Sequence, residues 1–121
     1  MKAEKIIFIV DDQETNRILA KQALDDRYKT YAIPSADKMF EMLERITPNL
    51  ILLDIEMPGM NGYDALNLMK MDDKQKDIPV IFLTAKNTRD SVIQGAESGA
   101  NSYIVKPFKP SLLMERVKQY V

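Results

Sequence analysis

The chain has 121 residues, with 17 Lys and Arg against 18 Asp and Glu and a formal net charge of -1, which gives no electrostatic ground for direct contact with nucleic acid. It contains no cysteine and no histidine, so disulfides, thiolate chemistry and imidazole catalysis or ligation are all excluded. Hydrophobic residues at 45% and charged residues at 29% are ordinary for a globular protein, and the length predicts one domain spanning residues 1–121. The opening Met1-Lys2-Ala3-Glu4-Lys5 leads into only a short apolar run before two aspartates, too short for a signal peptide or a membrane span. The expected location is the cytoplasm, with no membrane partner.

Strand and helix signals alternate from the start. Ile6-Ile7-Phe8-Ile9-Val10 reads as a strand, followed by Asp11-Asp12. Glu14 to Asp26 reads as a helix with Ile18, Leu19 and Ala23 inward, and Asp12 or Gln13 lies at its cap position. Tyr28 to Ile33 mixes polar and apolar residues as an exposed edge strand does. Ser35 caps a second helix, whose apolar stripe is Ala36, Met39, Phe40, Leu43 and Ile46, and Pro48-Asn49 ends it. Leu50-Ile51-Leu52-Leu53 is the third strand and closes on Asp54.

The run Met57-Pro58-Gly59-Met60-Asn61-Gly62 has turn chemistry, and the helix after it turns Ala65, Leu66 and Met69 inward. Pro79 opens a fourth strand, Val80-Ile81-Phe82-Leu83, closed by Thr84. A fourth helix is expected from Asn87 or Thr88, with Val92, Ile93 and Ala96 inward and Gly99 as its stop. Tyr103-Ile104-Val105 is a short fifth strand leading to Lys106. Pro110 suits the first turn of a last helix whose inward stripe is Leu113, Val117, Tyr120 and Val121. The eight methionines are most simply core filler, with Met57 or Met60 in a loop available to a partner.

Five βα units predict an α/β fold: a doubly wound parallel sheet with helices on both faces. The apolar runs of strands 1, 3, 4 and 5 suit strands buried on both sides. The order most often built from five such units is 2-1-3-4-5, with ligands bound beyond the carboxyl ends of the strands, at the switch point between strands 1 and 3. That topology brings Asp11, Asp12, Asp54, Thr84 and Lys106 to one spot.

Mg²⁺ takes oxygen ligands in near-octahedral geometry, and Asp11, Asp12 and Asp54 suit it, with a backbone carbonyl near Ile55 or Glu56 to complete the set. A carboxylate can also attack phosphorus to give an aspartyl-phosphate. Phosphoryl transfer then asks for positioning and charge neutralisation, for which Lys106 offers a cation and Thr84 a hydroxyl. Singly, each residue has an ordinary role: the acidic pair as a helix cap, Thr84 and Tyr103 as strand residues, Lys106 as a surface charge. Their joint placement at strand ends is what carries the argument.

Asp11-Asp12, Asp54 before the 57–62 turn, Thr84-Ala85, Gly99-Ala100, Tyr103 and Lys106-Pro107-Phe108 together closely resemble the receiver domain of two-component response regulators, over Ile6 to Val121. The resemblance implies a flavodoxin-like fold and a phosphoacceptor function. In it, Asp54 receives a phosphoryl group from a sensor histidine kinase or histidine phosphotransfer protein. Asp11, Asp12, Asp54 and the backbone carbonyl of Glu56 hold Mg²⁺, and Lys106 contacts the phosphoryl group. Thr84 and Tyr103 form a switch toward the surface of helix 4, strand 5 and helix 5, which controls an output domain or target protein. Glu56 and Lys86 tune removal of the phosphoryl group, and the Lys106-Pro107 bond is cis. The missing histidine fits, because the donor histidine belongs to the partner.

On this reading the chain is not an enzyme beyond its own phosphorylation and dephosphorylation. A phosphatase of the haloacid-dehalogenase type uses similar groups, but its nucleophile follows the first strand in an Asp-x-Asp pair. A flavodoxin needs a phosphate loop where Asp11-Asp12-Gln13-Glu14 stands, which would repel a phosphate. A pseudo-receiver acting only as an interaction module conflicts with the intact acidic set. Where many DNA-binding regulators carry Gly-Ala-Asp-Asp-Tyr, this chain has Gly99-Ala100-Asn101-Ser102-Tyr103. That puts a dimer through this face in doubt and leaves a monomer or a phosphorylation-dependent dimer.

Overall fold

A computed structural model describes residues 4–85 and 99–121. Its strands are β1 (Ile6–Val10), β2 (Lys29–Ile33), β3 (Leu50–Asp54), β4 (Val80–Thr84) and β5 (Ser102–Val105). Three helices, α1 (Glu14–Leu24), α2 (Ala36–Leu43) and α3 (Gly62–Lys70), precede the last, α4 (Pro110–Lys118). The strands form one parallel sheet in the order β2-β1-β3-β4-β5, as the repeating pattern predicts. Lys86 and the helix expected from Asn87 or Thr88 lie outside the described residues.

The central strands are apolar on both faces because both faces are covered. Side chains alternate along a strand, so Phe8, Val10, Ile51, Leu53, Val80 and Phe82 share one face with Met39 of α2 and Leu66 and Met69 of α3. Ile7, Ile9, Leu50, Leu52, Ile81 and Leu83 share the other, against Ala20 and Leu24 of α1 and Leu113 and Val117 of α4. Full burial of one such large side chain is worth about 1.5–3 kcal/mol, so these two layers supply most of the stabilising free energy.

Several details differ from the sequence expectations. Ile18 points outward at 45% exposure, while Ala20 and Leu24 are fully buried. Ile18 lies two residues before Ala20, about 200° around the helix, so both cannot face the sheet. Helix α2 stops at Leu43, leaving Ile46 to pack from the following turn. β5 pairs only with β4, and as an edge strand it exposes Tyr103 while burying Ile104. Met57 is buried in the core and Met60 packs against it, whereas Met71 is 82% exposed. The inward residues expected for α3 are all buried, and Ser35 and Asn61 cap α2 and α3 through bonds from Lys38 N and Asp64 N.

Two asparagines close the sheet at its amino end. Asn49 donates its N–H to the Ile6 carbonyl at 2.8 Å and accepts from Ile6 N at 2.8 Å through Oδ1. Asn101 does the same for Val80, at 2.9 and 3.0 Å. Each side chain stands in for a missing backbone partner at the start of a strand. Gly99 just before holds φ of +92°, a conformation that favours glycine.

Candidate phosphoacceptor site

The carboxyl ends of β1, β3 and β4 and the turn after β5 form the site. Asp11 continues β1, and its N–H donates to the Ile33 carbonyl at 3.0 Å. Its Oδ1 accepts from Gln13 N at 2.9 Å, which satisfies a donor at the start of α1. Its Oδ2, fully buried, lies 2.8 Å from Lys106 Nζ, a contact of charges without hydrogen-bond alignment. Asp12 follows directly and is exposed.

Asp54 is the last residue of β3 and is buried. Its Oδ1 lies 3.0 Å from Lys106 Nζ, so one ammonium bridges Asp11 and Asp54. Beyond it, Ile55 N donates to the Leu83 carbonyl at 3.0 Å and Gly62 N donates to the Ile55 carbonyl at 2.8 Å. Gly62 is there because no side chain fits: an added Cβ would stand 2.5 Å from the Asp54 carbonyl oxygen. The start of α3 therefore presses directly on the backbone of Asp54. With the Ile55 carbonyl engaged by Gly62, Glu56 is the better backbone ligand of the two the sequence left open.

Lys106 reaches inward from the turn after β5, where its N–H donates to the Thr84 carbonyl at 2.7 Å. The Lys106-Pro107 bond is cis, as expected, and Phe108 beyond it is buried in the core. Thr84 is buried at the end of β4, opposite Val105, while Tyr103 pairs with Phe82 two residues back and stands 37% exposed. Glu56 is exposed at the rim. Burial, and then the Glu56 charge, push the Tyr63 phenol upward, and the Tyr63 ring meets Phe82 edge-on at 5.2 Å.

The electrostatics reflect crowding of like charge. Burial, and then Asp11, push the Asp54 carboxyl up from 3.8 to about 7, and Lys106 offsets this only in part. Burial by itself would lower the Lys106 ammonium, but its close contacts with the Asp11 and Asp54 carboxylates prevail and raise it above its ordinary value. Carboxylate oxygens of Asp11, Asp12 and Asp54 lie within 4.8 Å of one another. A hard divalent cation fits this set: the donors are oxygens, two are buried, and Asp11 Oδ2 has no aligned hydrogen-bond donor.

The structure brings Asp11, Asp12, Asp54 and Lys106 together, with Thr84 at the adjacent strand end. Lys86 lies outside the described residues. Sequence reasoning missed the close approach of Gly62, for which the Asn61-Gly62 step at a helix start was the available signal. It also missed Arg17, whose Nη1 donates to the Asp11 carbonyl at 2.7 Å.

Comparison with known proteins agrees with this geometry. Residues 7–118 match the response regulator receiver domain family, and the chain belongs to it. It is 36% identical to the chemotaxis protein CheY of Pseudomonas aeruginosa, covering 93% of each chain. It is 34% identical to the DNA-binding response regulator MtrA of Mycolicibacterium paratuberculosis, over 95% of this chain and 50% of that protein. The chain thus spans about half the length of MtrA. A putative response regulator from Chloroflexus aurantiacus superposes with a TM-score of 0.92 at 28% identity, covering 98% of each chain.

Proposed function

We propose that this receiver domain is a phosphoacceptor, with Asp54 taking a phosphoryl group from a phosphohistidine on a sensor kinase or phosphotransfer protein. The observation that carries this is the single Lys106 ammonium spanning Asp11 Oδ2 and Asp54 Oδ1 beside an acidic triad. In the transfer, an Asp54 carboxylate oxygen forms the new O–P bond as the donor N–P bond breaks, and the departing imidazole takes up a proton. Asp11, Asp12, Asp54 and the Glu56 carbonyl would hold Mg²⁺, which when bound neutralises charge on the phosphoryl oxygens. Lys106 moves its attraction from the Asp54 carboxylate to a phosphoryl oxygen, and the Thr84 hydroxyl donates to another. Glu56, exposed beside the site, sets how readily water reaches the product, and Lys86 shares that role on the strength of the family resemblance alone.

Signalling follows from the same step. The Thr84 hydroxyl moving toward the phosphoryl group vacates space beside β5, and the exposed Tyr103 ring turns inward to fill it. Phosphorylation is then a local charge event biasing a two-state element that an output domain or target protein reads. The chain is a signalling module rather than an enzyme with an external substrate, and its place is the cytoplasm. Among the described residues no helix is long and apolar enough to cross a membrane. MtrA is named as DNA-binding but is twice as long, so the balanced charge of these 121 residues leaves nucleic-acid contact to other segments.

The test is incubation with acetyl phosphate and Mg²⁺ followed by intact-mass measurement. One phosphoryl group is expected on the unchanged protein and none on Asp54→Asn. Labelling that persists in the variant defeats the assignment. Thr84→Ala should still be labelled but lose much of the shift at Tyr103 when beryllofluoride, a phosphoryl mimic, is followed by NMR.

A further inference from the structure

Arg17 is not among the groups that touch the cleft, yet it is tied to it. It lies near the start of α1, its own N–H donating to the Gln13 carbonyl at 3.2 Å, and its guanidinium folds back to the Asp11 carbonyl at 2.7 Å. The other polar atoms of Asp11 are held by different elements: N–H by Ile33 of β2, Oδ1 by Gln13 N, and Oδ2 by the Lys106 charge. The carbonyl is different in kind, because it belongs to the planar peptide that continues into Asp12. Holding its oxygen holds the whole Asp11–Asp12 plane and so the direction in which Asp12 leaves the chain. Asp12 itself is exposed, so the backbone that carries it matters for where its carboxylate points.

We infer that Arg17 is a positioning residue for divalent-metal binding, acting by fixing the Asp11–Asp12 peptide plane so that Asp12 meets the metal beside Asp11 and Asp54. This rests on the phosphoacceptor reading of the site. Mg²⁺ demands near-ideal octahedral geometry, so a ligand that wanders costs affinity even when every carboxylate is present. The arginine fork suits the task, since a guanidinium makes directional bonds that an ammonium does not. An internal control stands one turn further along. Lys21 also reaches from α1 to the sheet, donating to the Thr30 carbonyl at 3.2 Å and to Thr30 Oγ1 at 2.9 Å, remote from the acidic cluster. Both side chains fasten α1, but only Arg17 fastens it to the metal-binding turn.

The experiment is calorimetric titration of MgCl₂ into the unchanged protein and into Arg17→Ala, Arg17→Lys and Lys21→Ala, with melting of each followed without metal. Arg17→Ala should bind Mg²⁺ about fivefold more weakly, the order expected for one lost hydrogen bond. Its acetyl-phosphate labelling at saturating Mg²⁺ should still reach the extent of the unchanged protein. Arg17→Lys should fall between the two, and Lys21→Ala should keep the original affinity whatever its melting temperature. Unchanged affinity in Arg17→Ala, or an equal loss in Lys21→Ala, overturns the inference while leaving the phosphoacceptor reading intact. Should Arg17→Ala not fold, undiminished affinity in Arg17→Lys overturns it instead. An unchanged protein that binds no Mg²⁺ defeats both readings.

Discussion

The two ends of the sheet solve the same problem in opposite ways. At the amino end, strands begin with backbone groups that lack a ladder partner, and Asn49 and Asn101 each supply one donor and one acceptor to close them. These bonds are neutral and reciprocal. At the carboxyl end, buried Asp11 and Asp54 meet one ammonium, and the excess negative charge shows as an Asp54 carboxyl raised to about 7. One end is chemically complete, while the other keeps buried negative charge that the proposed cation and phosphoryl group would meet.

The contrast can be broken most forcefully at Lys106. Lys106→Met leaves two buried carboxylates without their cation, and removing one partner of a buried ion pair typically costs about 3–5 kcal/mol. The loss in denaturant unfolding should be largest at pH 8 and shrink toward pH 5, as Asp54 takes up a proton. A pH-independent loss would show that the lysine acts only through packing.

Asp54→Asn should have the opposite sign. A carboxyl raised from 3.8 to about 7 binds a proton in the folded state that the unfolded chain has already released. Its stabilising contribution is thus full below about pH 4 and is lost as pH rises through about 7. Urea unfolding without metal should show stability falling over that window in the unchanged protein. In Asp54→Asn the Asp54 part of that slope should vanish, with a gain on the order of 2 kcal/mol at pH 8. Added Mg²⁺ should flatten the profile of the unchanged protein. If the variant is less stable at pH 8, Asp54 is not held against its own charge.

At the amino end, Asn49→Ala should cost about 1 kcal/mol by leaving Ile6 N–H without its acceptor. It should not alter Mg²⁺ affinity. A changed affinity would mean that the two ends are coupled along β1 and β3.

The smallest effect on intrinsic stability is expected at Asp12. Because it is exposed, Asp12→Ala should change metal-free stability by no more than about 0.5 kcal/mol. It should nevertheless abolish the rise in melting temperature that millimolar Mg²⁺ gives the unchanged protein through mass action.

The sequence by itself determined the five-strand parallel pattern, the capped start of α2, and the residues Asp11, Asp12, Asp54, Thr84 and Lys106. These were legible because buried parallel strands are written as uninterrupted apolar runs, and the residue closing such a run must stand at the sheet's ligand-binding edge. Ile18 was misread because a short stripe on α1 fits two rotations, and only contact with the sheet selects Ala20 and Leu24. Tyr103 was placed in a strand covered on both faces because three apolar residues look alike at an edge and at the centre. Long-range geometry decided everything else: that one ammonium serves two carboxylates, that Gly62 leaves no room above Asp54, that asparagines complete β1 and β4, and that Arg17 reaches back to Asp11. Each joins atoms from separate segments, or bends a side chain back on its own turn. Neither leaves a periodic trace in the chain, because such contacts are set by the distance between packed elements rather than by local preference.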